Sequence, residues 1–599
     1  DFLTISEDGS FEYHIGNMDR SGVWILNQDT LVFIYPFTEN NIPVIGDSIA
    51  LERSFVIDIL STEKIVLSEG ESIFILKPKE DEVLSNISIF SQKVDKAFVP
   101  VVKIIESVVF WDVSFGNFSK YVEKSLDEKI GQEEDDDEKK KLEERLKVVQ
   151  EKGFSVPFVV IWLIFGALFF TWKMNFINIR GFRHAISLVK GDYSDPNNKG
   201  EVSHFQALTT ALSGTVGLGN ISGVAAAISL GGAGATFWMI IAGLLGMSSK
   251  FIECTLGLKY RVIDDDGVVS GGPMYYLRDG LAKHNLSGLG KVLAVLFAIL
   301  CIGGSFGGGN MFQANQAFAA VQSVFPELTG FGPVFGVILA IMVGFVIIGG
   351  IKSIAKVTEK VVPFMAAIYV GLAIVIIVLH FEDLGNVFLQ IINGAFNSSA
   401  LFGGFIGVLI VGFTRAAFSN EAGVGSASIA HSAAKTKEPV SEGMVALLEP
   451  FIDTVVICTM TAIVIIITEN HTVGGLSGSE LTTQAFGSIY EGFKYILAVA
   501  ILLFAFSTMI SWSYYGLKSW TFLFGKSKIA DLSYKSIFIL FIIIGSTVGL
   551  QSVLTFSDMM ILAMAFPNII GLLLLSGEVK HDLNLYLQKL KDGTIKKFK

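Results

Sequence analysis

The chain has 599 residues, 51% of them hydrophobic and only 17% charged, with 49 Phe, 61 Gly and a formal net charge of −11. A soluble protein of this length carries about 25% charge, so most of this chain is not built to face water. The negative balance comes largely from the first 152 residues and argues against a nucleic-acid partner there. Cys254, Cys301 and Cys458 are an odd number, each in or beside an apolar run, and read as small core residues rather than disulfides or metal ligands.

Residues 1–90 hold short runs rich in β-branched and aromatic residues, such as "FLTISEDGSFEYHI" and "SGVWILNQDTLVFIYPF", separated by turn formers such as Asp8-Gly9 and Glu69-Gly70. This is an antiparallel sheet pattern, expected to form a small all-β extracytoplasmic domain. The "GVWILNQDTLVF" stretch resembles the lipocalin-like β-domains of bacterial envelope proteins, and an accessory surface domain without a ligand is the simplest reading. Residues 95–111, "DKAFVPVVKIIESVVFW", repeat apolar residues at helical spacing but are too short to span a bilayer, so an amphipathic interfacial helix is expected. The charged insertion 112–153 reads as a solvated helix or linker.

A spanning helix needs about 20 predominantly apolar residues. Eleven stretches qualify, near 156–174, 205–230, 233–257, 291–324, 332–351, 361–380, 399–419, 441–468, 492–518, 533–551 and 555–577. Because the uncharged run from Asn386 to Thr414 exceeds one span, a short interfacial helix is expected before the seventh. Lys and Arg then set direction. Lys173, Arg180, Arg183 and Lys190 follow the first span, and Lys and Arg recur after the third, fifth, seventh and ninth. Alternate loops such as "FPELTGFG" and "HFEDLG" have none. This predicts an N-terminus outside and a cytoplasmic C-terminal tail over 581–599.

The second span contains "SGTVGLGNISGVA", with glycine at 214, 217, 219 and 223. Each interior Gly costs a helix about 0.5–1 kcal/mol against Ala. One reading is a small-residue packing face, for which Gly219–Gly223 supplies a GxxxG match. The other is a discontinuous helix. Irregular backbone at membrane depth is tolerated where it lines an enclosed cavity, and free N–H and C=O groups there bind carboxylates and cations.

Further along come "GMSSKFIECTLGLKYR", "GGPMYYL", "GGGNMFQANQ", "RAAFSNEAGVGSASIAHSAAKT" and "STMISWSYYG". With the glycine stretch, these resemble the alanine or glycine:cation symporter family, also called sodium:alanine symporters, over residues 155–580. The resemblance implies an all-α polytopic membrane protein with the LeuT-type fold: two five-helix inverted repeats, spans two to six and seven to eleven, with the first span added. It implies symport of sodium and a small neutral amino acid (alanine, glycine or serine) by alternating access, in the bacterial cytoplasmic (inner) membrane. The amino acid, sodium and membrane lipid are the expected partners, nucleic acid is not one, and no cofactor beyond the coupling ion is expected.

Carried over residue by residue, the resemblance puts sodium on the carbonyls of Ser213 and Val216 and the hydroxyls of Ser507 and Thr508. The substrate would meet Thr215, Gly217, Leu218, Gly219 and Asn220, with the amides of Leu218 and Gly219 facing its carboxylate. Gln313 is expected across the pocket, Asn310 there or in a structural bond, and Trp512 as an aromatic wall that limits side-chain size. Charges within spans are costly and functional or paired. Lys250 with Glu253 would form an ion pair near the interface or gate the pathway. Arg415, Glu421, Glu449 and Asp453 leave the same alternatives open, and a proton-coupled version would centre on Glu449 or Asp453. An amino-acid-sensing receptor is the rival from another class. No P-loop, HExxH or nucleophile elbow favours an enzyme.

Overall fold

The computed structural model describes residues 155–598 except 196, 397–403 and 471–477, together with nine strands between Phe2 and Leu76, a strand at Asp112–Ser114, and Ile130. The expected interfacial helix at 95–111 and most of the insertion lie outside the described residues. The chain divides into two compact units, Asp1–Phe90 and Ser91–Lys599.

In the first unit, strands Phe2–Ile5, Ser10–Ile15, Met18–Asn27, Thr30–Tyr35, Leu51–Leu60, Ile65–Glu69 and Ser72–Leu76 form one antiparallel sheet in chain order. The expected turn pairs Asp8-Gly9 and Glu69-Gly70 lie wholly or partly outside the described residues. In the second unit, Asp112–Ser114 pairs antiparallel with Ser155–Pro157, which brings the two ends of the insertion together.

The other described elements of the second unit are helices, apart from the short antiparallel pair Val262–Ile263 and Val269–Ser270. We label α1 Phe158–Lys173, α2 His204–Thr215, α3 Ser222–Gly231, α4 Gly234–Lys259, α5 Ser287–Phe306, α6 Phe312–Val324, α7 Gly332–Ile347, α8 Gly350–Leu379, α9 Leu384–Phe396, α10 Gly404–Asn420, α11 Ala427–His431 and α12 Pro439–Ala446. They continue with α13 Thr459–Ile467, α14 Gly478–Gly487, α15 Gly492–Phe524, α16 Lys528–Gly545, α17 Leu550–Ala563 and α18 Ala565–Lys591. Among the described residues six helices are long and apolar enough to cross a membrane, and the bent pair α2–α3 makes a seventh. Helices α1, α7 and α10 are apolar but shorter. Helix α9 lies where a short helix before the seventh span was expected.

Two helical stretches are interrupted, and the first of them is a broken span. Helix α2 begins with a capping box, Ser203 and Gln206 bonding each other's backbone N–H. It stops at Thr215, makes a single tight turn over Leu218–Asn220, and resumes as α3 after a bend of 59°. The packing-face reading of this glycine stretch therefore gives way to the broken helix. The second break separates α10 from α11 and was not expected from sequence. There Glu421, Gly423 and Gly425 all take positive φ (54°, 90° and 98°). Wider turns of π type occur at Gly307–Met311, between α5 and α6, and at Phe451–Cys458, before α13. Such turns free backbone groups and re-aim side chains, often at functional sites.

Candidate functional site

The first break is met by α6, α10, α15 and the Phe451–Cys458 segment. Its backbone departs from the helical ladder at two places. The Gly217 N–H donates to Thr215 O (2.8 Å) rather than to Ser213 O, and the Asn220 N–H donates to Gly217 O (3.2 Å) rather than to Val216 O. The carbonyls of Ser213 and Val216 thus lie at the points where the ladder is interrupted.

Helix α15 closes this side. Ser213 Oγ donates to Ser507 O (2.6 Å), and Ser507 Oγ turns to Phe504 O (3.0 Å). Thr508 Oγ1 is buried and has no hydrogen-bond partner, as is true of Ser511 Oγ and Tyr515 Oη on the same helix. A Cβ added at Gly217 would lie 2.5 Å from the Thr508 oxygen, so Gly217 is where backbone and hydroxyl approach closely. A buried hydroxyl without a partner costs about 1–3 kcal/mol, and Thr508 is the one of these three that stands against Gly217.

Across the break, the Leu218 N–H donates to Gln313 Oε1 (3.2 Å), and Gln313 Nε2 donates to Gly308 O in the π turn (2.8 Å). Gln313 therefore stands beside the break, whereas Asn310 bonds Phe538 O (2.6 Å) and takes the structural role. Asn220 points elsewhere: its Oδ1 accepts from Gly217 N (2.9 Å) and its Nδ2 donates to Asp453 Oδ1 (2.7 Å). The Thr215 hydroxyl returns to its own helix, to Ala211 O (3.3 Å). Gly219 looks onto Ser419 and Phe418, with an added Cβ no closer than 3.4 Å. Trp512 is buried against Gly309, and its Nε1 donates to Gly214 O (3.2 Å) and Glu421 Oε1 (3.1 Å).

Two acidic residues named from sequence find their partners here. Asp453 also accepts from Ser419 Oγ (2.8 Å) and Thr454 Oγ1 (2.7 Å), so it is a hydrogen-bonding hub under the break. Of the two candidate carboxylates, Asp453 is the one joined to the break. Glu421 had no assignable contact, although the glycines of "EAGVG" after it carry the same signal that marks the first break.

The buried charges pair across helices. Lys250 meets Glu449 (3.0 Å), not Glu253, because α4 packs against α12 and the turn that carries Glu449. Glu253 instead accepts from Asn568 Nδ2 (3.0 Å), and Arg415 pairs with Asp558 (3.1 Å). Glu442 bonds both His204 and His431, the latter at 2.6 Å. His431 Nε2 and Glu449 Oε2 then stand 3.7 Å apart, each without a hydrogen-bond partner. Beyond the span, the Lys526 ammonium lies 3.0 Å from Asp264 and holds that exposed carboxyl below its ordinary range.

A family model described as the sodium:alanine symporter family matches residues 139–599. The sodium/alanine symporter AgcS of Methanococcus maripaludis is 42% identical over 437 residues, covering 72% of this chain and 94% of that protein. The probable sodium/glutamine symporter GlnT of Bacillus subtilis is 35% identical over 460 residues, covering 76% of this chain and 92% of its own. Among solved structures, MhsT in complex with L-phenylalanine aligns over 64% of this chain and 100% of its own, with a TM-score of 0.42 and 15% identity. By the extent of the family match and the identity to these relatives, the chain belongs to the sodium:alanine symporter family.

Proposed function

We propose that this multi-pass membrane protein is a sodium-coupled symporter that carries alanine, glycine or serine into the cell. Family membership supports cation-coupled amino-acid symport. The observation that carries the choice of ion is the Thr508 hydroxyl, buried and unpartnered beside Gly217. Together with Ser507 and the carbonyls of Ser213 and Val216 it makes a set of neutral hard oxygens, which suits a sodium ion and needs no carboxylate. The substrate carboxylate would displace Gln313 from the Leu218 amide, and Trp512 would bound the side chain.

Coupling follows if the occluded state is favoured only when both ligands are bound, a statement about differential affinity. In this reading the chain has eleven spans in a LeuT-type arrangement, in the cytoplasmic membrane with its N-terminus outside. The sheet at residues 1–90 is an accessory extracytoplasmic domain. Counterflow of radiolabelled alanine in proteoliposomes tests the function. Uptake is expected with sodium and not with potassium or choline, and equal uptake in all three overturns sodium coupling.

One observation favours a second reading. Asp453 reaches the break through Asn220, so a proton taken up at that carboxylate could also be felt there. Alanine accumulation driven by a pH gradient in sodium-free vesicles would replace the sodium reading with this one.

A further inference from the structure

We infer that Glu421 is a positioning residue for substrate selection, holding Trp512 across the first break so that the indole sets the size of side chain admitted. The inference rests on the proposed transport of small neutral amino acids.

Trp512 is 1% exposed, and a buried indole N–H requires an acceptor. It has two. One is Gly214 O, in the last turn of α2 before the break, and the other is Glu421 Oε1, in the second break. A single N–H thus joins α15 to both breaks. The Glu421 oxygen is the acceptor that a side-chain substitution can remove, whereas Gly214 O belongs to the backbone.

Glu421 is itself held in place. Its backbone takes φ of 54°, a conformation uncommon for a residue with a side chain, and its second oxygen accepts from Ser426 Oγ. Both oxygens are therefore used, one on the local turn and one on the indole. The indole lies in a groove of small residues. A Cβ at Gly309 would collide with Trp512, and one at Gly304 would stand 3.4 Å from Cζ3. A groove that admits the ring does not choose its tilt. The directional bonds to Gly214 and Glu421 do, and Tyr515 packs edge-on at 5.4 Å behind it.

The test compares counterflow of alanine, valine and leucine in wild type, Trp512→Ala, Trp512→Phe, Glu421→Ala, Glu421→Gln and Glu421→Ala with Trp512→Ala. A ratio of two substrates on one protein cancels differences in expression and folding. Trp512→Ala, Trp512→Phe and Glu421→Ala are each expected to raise the valine-to-alanine ratio, by about tenfold, the scale of one buried hydrogen bond. The double variant should go no further than Trp512→Ala. Glu421→Gln, which keeps an acceptor oxygen, should retain the wild-type order of substrates.

A wild-type ratio in Glu421→Ala overturns the inference, as does an effect that adds fully to that of Trp512→Ala. If Glu421→Ala does not fold, Glu421→Met decides, since it keeps the length of the side chain and deletes the acceptor oxygens. A wild-type ratio there also overturns it. Failure of the underlying reading is separate: wild type would then show no alanine counterflow at all.

Discussion

The two breaks differ in how their polar groups are met. The first leaves the Thr508 hydroxyl beside Gly217 without a partner. At the second, side chains answer the freed backbone and one another. Asn420 Nδ2 donates to Thr454 Oγ1 (2.8 Å), Ala422 N to Asn420 Oδ1 (3.0 Å), Asn568 Nδ2 to Gly423 O (2.8 Å) and Ser428 Oγ to Gly425 O (2.7 Å). Backbone freed from a helix must find partners when buried. Where the protein supplies them the break acts as a strut, and where an oxygen is left over, as at Thr508, a ligand is the partner proposed for it.

The contrast can be broken hardest at the strut. Asn568→Leu should strip partners from Gly423 O, Glu253 Oε1 and Tyr276 Oη at once. With buried unsatisfied groups at about 1–3 kcal/mol each, the loss should reach about 3 kcal/mol or more. It should appear as a lower unfolding temperature in detergent, with half-saturating sodium unchanged in the protein that remains folded. A stable variant would show that the second break does not depend on this support.

At the first break the same size of change should act on ligands instead. Gly217→Ala puts a methyl group 2.5 Å from Thr508 Oγ1 and 3.1 Å from Gln313 Oε1. Overpacking of about 1–3 kcal/mol should weaken sodium-dependent alanine binding by about tenfold or more. Unfolding temperature without ligands should move much less than in Asn568→Leu. Equal damage to both would erase the distinction between the breaks.

Thr508→Ala removes one hydroxyl oxygen of the proposed sodium site, together with the γ-methyl group. Half-saturating sodium should rise by about tenfold, the scale of one hydrogen-bonding group, and alanine affinity should recover when sodium is raised. Asp453→Asn should not shift sodium dependence in this way. If it does while Thr508→Ala does not, the carboxylate reading takes over. The smallest effect is expected at Gly219→Ala, whose Cβ makes ordinary contact at 3.4 Å with Ser419 Cα. Sodium and alanine affinities should change by less than about threefold, and a larger loss would move the carboxylate subsite to Gly219.

The helices, the first break and the family were legible in the chain, because each rests on local signals. Apolar runs of span length, Gly217 and Gly219 in an otherwise helical stretch, and motif strings such as "GGGNMFQANQ" need no tertiary information. Gln313 and Trp512 were also named from sequence, and both stand beside the break. The second break was missed although Gly423 and Gly425 signal it, because "RAAFSNEAGVG" is polar enough to read as a span end.

What only the tertiary structure decided is who meets whom. Lys250 sits one helical turn from Glu253 in the chain but pairs with Glu449, 199 residues away. Asn220 reaches Asp453 across 233 residues, and Trp512 reaches Glu421 across 91. Local sequence sets where a helix forms or stops, since those free energies are summed over neighbouring residues. The partner of a buried polar group is set by which helices pack together, and every one of these groups had more than one partner of suitable chemistry in the chain.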